Sequence, residues 1–455
     1  MVMDVPRVRG LEAVATLSDL GFASVSAGVI ARRRPMARLL ERVQADARAV
    51  KRIQRLRKEF GRGPVELVLP GRRIAVVIDP EDVGAVLANS PRPFDPANRE
   101  KRKALQWFQP HGVLISQGAI RSQRRAVNDA ALDSGAQLHR LADSFATKII
   151  AEAESMAAEA MWRGHLDSAQ FMTIWWRLVR RLVLGERARD DEAITDHLLR
   201  LRKAGNWSFL ALPHYRARGR FTEQLYRYAE APEAGSLVSA LAQTPAAGAV
   251  DPVGQIPQWL FAFDAAGMAL LRALAVLSTH PAHLERAMSD ATQPDRCMPR
   301  PYLRGCVLES VRLWPTTPTI LRDTTEDTVW RSGSERFTLA KGAAMMIVAP
   351  AFHRDDELLP FAHEFVPDIW LDGRAERHPQ LVPFSAGPAE CPGRNLVLFT
   401  TSTLAANLLS RLRFDLQSTP RPLPGAPLPM TFNQFGLDFR VRRAEPALAA
   451  GPATS

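Results

Sequence analysis

The chain has 455 residues, 46% hydrophobic and 24% charged, with a formal net charge of +11; these are the proportions of a globular protein able to bury a large core. Three cysteines, none closely paired, exclude a disulfide framework and a cysteine zinc site and fit a reducing interior. The positive charge reads as an arginine-rich solvated surface or as a basic patch that steers an acidic partner, and with no binding motif and no basic stripe interleaved with aromatics it does not read as a nucleic-acid surface.

Taken in chain order, the apolar run Leu17–Ile30 is broken by Ser18, Asp19 and Gly21 and followed by Arg32-Arg33-Arg34. It is too interrupted for a signal sequence or a bilayer span, so residues 1–34 are expected to be a lead-in segment with at most a weak interfacial contact, and the protein to be soluble and cytoplasmic, without a transmembrane segment. Met36, Leu39, Leu40, Val43, Ala47, Val50, Ile53, Leu56 and Phe60 recur at helical spacing up to Gly61. Val65–Leu69 and Ile74–Ile78 flank Pro70-Gly71 as a hairpin, and Asp79-Pro80-Glu81-Asp82 reads as a capped helix start. From Ile120 to Arg312 the pattern is largely helical, with helices expected over Ile120–Leu132, Gln137–Met156, Ala169–Leu184, Ile194–Trp207, Phe221–Ala229 and the long apolar Ile256–Ser278. Alternation returns at Thr324–Leu339, around Ser332-Gly333, and near Met430–Val441, while Pro446–Ser455 reads as a disordered tail. The fold class expected is mainly α with small β-sheets, as one catalytic domain over 35–445.

The most specific stretch is Phe384-Ser-Ala-Gly387-Pro-Ala-Glu-Cys391-Pro392-Gly393-Arg394, just ahead of the apolar segment Leu396–Leu412. It sets Cys391 at an expected helix N-terminus with Pro392 in the first turn, where unpaired N–H groups and the helix dipole favour a thiolate. Gly387 and Gly393 let backbone approach closely. A lone cysteine is otherwise most often a buried structural residue, and Cys297 and Cys306 are read that way. A thiolate so held can be the axial ligand of a haem iron. Phe384, Gly387, Cys391 and Gly393 at this spacing resemble the haem-ligand loop of the cytochromes P-450.

That resemblance extends over roughly residues 35–445 and implies the mostly helical cytochrome P-450 fold with haem b bound between the Ile256–Ser278 helix and Cys391. Glu309 and Arg312, three apart in an apolar helix ended by Pro315, resemble the family's structural Glu-x-x-Arg pair. Ile369 stands where the family often adds an arginine, in Phe365-Val-Pro-Asp-Ile369-Trp370. Counting back from His280-Pro281 puts Asp264 on the family's acid and Ala265 in place of the usual threonine. Asp264 is then either a proton-delivering group or the maker of a helix contact, because a buried carboxylate needs a partner or a function. The resemblance gives Arg124 and Arg322 as haem-propionate partners, with Ala389 where another Arg or His is usual. It puts Phe261, Ala262, Phe263, Ala265, Thr317, Thr319, Ile320 and Phe435 in the substrate pocket. His353 and His378 read as ordinary hydrogen-bonded histidines.

The function expected is a haem-thiolate monooxygenase that inserts one atom of dioxygen into an apolar small molecule, with electrons from a separate ferredoxin or flavodoxin and its reductase. Ala265 leaves open a peroxide-dependent hydroxylase or a lipid-hydroperoxide isomerase or dehydratase on the same scaffold. A non-catalytic haem protein that binds a gas or hydrophobic ligand also remains open.

Overall fold

A computed structural model describes residues 3–28, 30–208, 214–332 and 335–444; Gly333 and the tail over 446–455 lie outside the described residues. After α1 (Gly10–Ala27), the segment expected as one helix up to Phe60 is two, α2 (Arg34–Arg42) and α3 (Asp46–Phe60). The break falls at Gln44, whose backbone turns left-handed at φ 46°. Its side chain accepts from the Met430 and Thr431 amides at 2.7 and 3.1 Å and donates to the Thr431 carbonyl at 3.1 Å, so a distant loop holds the turn in place. Gly61, at φ 74°, ends α3 as its position suggests. The Asp79 carboxylate caps α4 (Pro80–Ala88) by accepting the Glu81 amide at 2.9 Å.

The helical stretch then runs through α5 (Arg99–Leu105), α6 (Gly118–Ala131), α7 (Ala142–Arg163), α8 (Ser168–Leu184), α9 (Glu192–Gly205), α10 (Tyr215–Glu230), α11 (Leu237–Ala242), α12 (Ile256–Leu277), α13 (Pro281–Asp290) and α14 (Pro301–Leu313), followed by the short α15 (Ala349–His353) and by α16 (Arg394–Arg411). The helix expected from Gln137 starts only at Ala142, because His139 folds back to the Ala131 carbonyl at 2.9 Å and occupies the approach to it. The segment that includes α12 is apolar and long enough to cross a membrane by composition, yet 72% of its most apolar window is buried inside the fold, with α8, α14 and α16 packed around the helix.

The strands are β1 (Met3–Asp4), β2 (Arg7–Val8), β3 (Val65–Leu69), β4 (Arg72–Val76), β5 (Phe94–Asp95), β6 (His165–Asp167), β7 (Thr319–Thr324), β8 (Thr328–Ser332), β9 (Glu335–Leu339), β10 (Ala344–Val348), β11 (Leu412–Leu416) and β12 (Asp438–Arg443). The largest sheet has the order β2-β3-β4-β10-β7-β5, with β3 and β4 forming the expected hairpin. Two three-stranded sheets, β1-β9-β8 and β11-β12-β6, complete the set. The large helical core runs from Ile30 to Val441, and a separate apolar cluster covers the main sheet. The observed class is mainly α with small sheets.

Candidate functional site

The cysteine loop is built by short backbone bonds. The Cys391 amide donates to the Phe384 carbonyl at 3.0 Å and the Glu390 amide to the Gly387 carbonyl at 2.9 Å. Gly387 sits at φ 66° with the Leu87 carbonyl oxygen only 2.2 Å from where a Cβ would be, so no side chain fits there. From outside, Arg125 donates to the Glu390 carbonyl at 2.6 Å, and Ser134 to that of Pro392 at 2.8 Å. The expected helix start is corrected here. α16 begins at Arg394 with Gly393 at its N-cap, so Cys391 and Pro392 lie in the turn before it rather than in its first turn. Burial pushes the Cys391 thiol up, opposed by the Gly393 amide and by Arg125. The residue is partly exposed, and its sulfur is held as a thiol until something replaces its proton. Burial pushes the other thiols up too, that of Cys297 to about 11, and Cys306 is fully enclosed, which fits their reading as structural residues.

α12 passes this loop. Ala269 of α12, Val307, Leu308 and Val311 of α14 and Leu398 of α16 share one buried cluster, and Phe384 packs against it. α12 is buried at Ile256–Leu260 and again from Ala266, but Phe261, Ala262, Asp264 and Ala265 are partly exposed between those stretches. A helix enclosed at both ends and open at its middle borders a gap, and two alanines keep that gap wide. Phe261 lies edge-on to Phe108 at 5.5 Å. Phe263 turns the other way, into the core against Trp175, whose indole N–H donates to the Phe263 carbonyl at 2.9 Å. Asp264 is ion-paired to Arg202 of α9 at 2.5 Å. Thr317 is exposed, Thr319 bonds Ser24 at 3.2 Å, and Ile320, in β7 of the main sheet, is buried in that sheet's apolar cluster. Phe435 is partly exposed beneath the Arg34 guanidinium.

Beside the cysteine loop, where Arg322 reaches Ser385, lies a group of cations short of anions. Arg322 is buried and makes only long bonds to the Ser90 and Ser385 hydroxyls, at 3.2 and 3.3 Å, besides one to its neighbour's carbonyl. Burial, then Arg121, pull it down to about 10. Arg121 is itself buried, and its Nε has no partner. Lys101 is pulled down to about 7 by burial and by the same two arginines, and donates to the Pro96 carbonyl at 2.7 Å. Asp95 is their near carboxylate, and it already accepts from Gln117 and Ala97. Such a group fits a flat cofactor that carries carboxylates, because two anions would satisfy the orphaned donor and relieve the mutual repulsion. Arg124, the expected partner, donates to Ser116 at 2.7 Å and pairs with His111 at 3.2 Å, and its Nε, like that of Arg121, has no partner. The arginine facing the cysteine loop from the same helix is Arg125, and the one beside Arg322 is Arg121. The sequence signal for both was present in the arginine-rich run itself; what was missing was the rotation of α6 about its axis.

Glu309 and Arg312 are fully buried and bonded at 2.6 and 2.8 Å. Arg312 also donates to the carbonyls of His353, Phe361, Ala362 and Glu364. Glu309 further accepts the Val366 amide at 2.8 Å and the Trp370 indole N–H at 3.0 Å. Trp370 therefore supplies the donor that Ile369 lacks.

A family model described as Cytochrome P450 matches residues 263–434. Among curated proteins, a probable cytochrome P450 4s3 of Drosophila melanogaster is 31% identical over 165 residues, 35% of this chain and 32% of its own length. A cyclooctat-9-en-7-ol 5-monooxygenase of Streptomyces melanosporofaciens is 35% identical over 129 residues, 28% of this chain and 26% of its own length. The chain thus spans about a third or less of these relatives. Among solved structures, a cytochrome P450 named CYP102L1 superposes with a TM-score of 0.71 at 18% identity, over 98% of this chain and all of that one (100%). CYP175A1 from Thermus thermophilus gives 0.67 at 21% identity, over 96% of this chain and 100% of its own. The fold is shared along the whole length even where the residues are not.

Proposed function

We propose that the chain is a member of the cytochrome P450 superfamily, whose family model matches residues 263–434, and that it is a soluble, cytoplasmic haem-thiolate monooxygenase acting on an apolar small molecule. The overall change is RH + O2 + 2 electrons + 2 protons giving ROH and water. Haem b, when bound, supplies the chemistry that activates dioxygen. Cys391 would hold it, giving up the proton that burial otherwise keeps on the sulfur. Arg121, Arg322 and Lys101 would meet its two carboxylates.

The residues of this chain then have separate tasks. Phe261, Ala262 and Ala265 would border the space in which the substrate is held and from which it displaces water. Asp264 would move protons from solvent into that space. Ala265 offers no hydroxyl, so an ordered water or a substrate hydroxyl completes the path. Electrons would come from a separate ferredoxin or flavodoxin and its reductase, docking near Arg394.

The single observation that supports the reading is the Cys391 loop itself, tied through Phe384 to the cluster shared by α12, α14 and α16 and reached at Ser385 by the under-satisfied Arg322. The test is the optical spectrum of the haem-loaded, reduced, carbon-monoxide-bound protein. The band that gives the superfamily its name is expected, and Cys391→Ser should abolish it. A spectrum of nitrogen-ligated haem in the parent would overturn the proposal. Ala265 favours a second reading, a peroxide-driven hydroxylase or an isomerase or dehydratase of lipid hydroperoxides. Product formed with hydrogen peroxide but not with dioxygen and reductant would select it.

A further inference from the structure

The loop between α5 and α6 runs beside the first turns of α12 and is tied to them at two places. At one, the Phe108 ring lies edge-on to Phe261 at 5.5 Å. At the other, Gln255 accepts the Val113 amide at 3.2 Å and donates to the His111 carbonyl at 2.8 Å. Residue numbers rise along the loop as they fall along the helix, so Gln109 of the loop and Gln258 of α12 fall between the two ties. Gln109 is 0% exposed and Gln258 7%. Neither side-chain oxygen has a hydrogen-bond partner, and the Gln109 nitrogen has none either. Among the described residues Gln109 alone has two such buried side-chain atoms. Its carboxamide lies over Gly112, where a Cβ would be 3.0 Å from Oε1. Gln255 and Asn128, buried amides of the same wall, are by contrast bonded throughout. Gln255 also accepts from Asn128 at 3.1 Å, while Asn128 donates to the Arg124 carbonyl and accepts the Trp259 indole N–H, both at 2.8 Å.

A carboxamide taken out of water is unfavourable until something supplies the bonds that water supplied. Helical spacing puts Gln258 on one stripe with Phe261, Ala262, Ala265 and Ala269. Ala269 belongs to the cluster against which Phe384 of the cysteine loop packs. At about 1.5 Å per residue, Gln258 lies about 10 Å from Ala265 and about 16 Å from Ala269 along the helix axis. The stripe is therefore polar at one end, partly exposed at its middle and closed by the cysteine loop at the other end. We propose that Gln109 and Gln258 determine specificity by holding a neutral group, one that both donates and accepts hydrogen bonds, at the end of the substrate remote from the cysteine loop. A primary carboxamide matches this pair: its two N–H bonds suit the two orphaned oxygens, and its carbonyl suits the Gln109 amide group. A hydroxyl has one O–H and serves one oxygen and the nitrogen. A carboxylate only accepts, and it would set its charge against two carbonyl dipoles. The apolar body of the substrate then lies along Phe261, Ala262 and Ala265. The inference rests on the monooxygenase reading for the place of the substrate.

The test titrates the haem-loaded full chain with octanamide, 1-octanol, octanoate and methyl octyl ether, and reads each dissociation constant by calorimetry. Octanamide should bind most tightly and 1-octanol next, with the ether and octanoate weaker than the amide by about tenfold or more, because both leave two buried oxygens unpaired. Gln258→Leu and Gln109→Leu should each weaken octanamide by about tenfold and leave the ether within about threefold of its parent value. Each should also raise the thermal midpoint of the ligand-free protein, since a hydrocarbon of similar size replaces a buried amide that has no partner. The ligand order in the parent needs no variant, so it decides the matter even where a variant does not fold. Equal affinities for octanamide and the ether in the parent overturn the proposal, as does a preference for the amide that survives both substitutions. A lower midpoint in both variants also overturns it, by showing that the two glutamines serve the fold. The monooxygenase reading fails separately: a parent without the carbon-monoxide band fails that reading before any ligand is added, whereas a parent with the band and no preference fails this inference alone.

Discussion

Glu309 shows what a buried carboxylate requires. Removing both members of an ion pair from water is repaid only when their remaining donors and acceptors are satisfied. Here the carboxylate takes two bonds from Arg312, one amide and one indole N–H. Ile369, where an arginine would be sought, is fully buried in an apolar cluster and contributes nothing polar. Trp370→Phe keeps an aromatic ring but removes the indole N–H that Glu309 Oε2 accepts. A loss of about 1–3 kcal/mol in denaturant unfolding is expected. Ile369→Arg should not restore it, because that position is fully enclosed among Leu359, Phe361, Ala362 and Leu381, where a guanidinium would be buried. Rescue by that second change would show that the indole bond carries little. The pair was legible in the sequence because three-residue spacing between apolar flanks is a pattern. The indole was not, because one donor a single place out of register leaves no mark. The cysteine loop was legible for the first reason, whereas the start of α16 depended on a turn at Pro392 and Gly393 that spacing alone does not fix.

Elements bring these residues to one place. α12 was readable as a long apolar helix ending near His280-Pro281, and it is one. Its neighbours were not readable, because Trp175 and Arg202 reach it from far along the chain. Gly267 marks the closest approach: a Cβ there would be 2.7 Å from Trp175 Nε1 and 2.8 Å from its Cδ1. Trp175 is fully enclosed and cannot move aside without losing its bond to the Phe263 carbonyl. Gly267→Ala therefore overpacks the crossing of α8 and α12 even though alanine is the better helix former. The expected cost is about 1–3 kcal/mol, read as a lower thermal midpoint of the haem-free and haem-loaded forms alike. A midpoint equal to or above the parent's would mean that α8 has room to shift. The division of the 36–60 stretch into α2 and α3 has the same origin: Gln44 is held by Met430 and Thr431, a contact that no local periodicity contains.

Across the whole molecule two charge effects follow. The net +11 was legible as a total, while its distribution over the folded surface was not. If an acidic carrier docks near Arg394, reduction should slow as ionic strength rises from about 0.01 to 0.15 M, because the screening length shrinks from about 30 to about 8 Å. A salt-independent rate would remove electrostatic steering from the account. The second effect is acid lability. Burial depresses His139, His280, His283, His353, His363 and His378, and His353 most, to about 3. His353 is neutral in the fold: its Nδ1 donates to the Arg312 carbonyl at 3.1 Å and its Nε2 accepts the Val382 amide at 3.1 Å, so protonation would break the second bond beside a buried guanidinium. Between pH 6.5 and 3 the unfolded chain binds the proton and the folded chain does not, so stability present above about pH 6.5 is lost as pH falls through that window. From His353 alone the loss by pH 5 is about 2 kcal/mol, at about 1.4 kcal/mol for each pH unit. Asp82, raised to about 6, and Glu41 and Asp46, also raised by burial, act in the opposite sense and blunt the slope. The urea midpoint should therefore fall between pH 7 and pH 5. His353→Gln, less stable at pH 7 because it cannot reproduce both bonds, should fall less over the same range. Equal slopes in parent and variant would mean that the acid-sensitive groups lie elsewhere, among the five other depressed histidines.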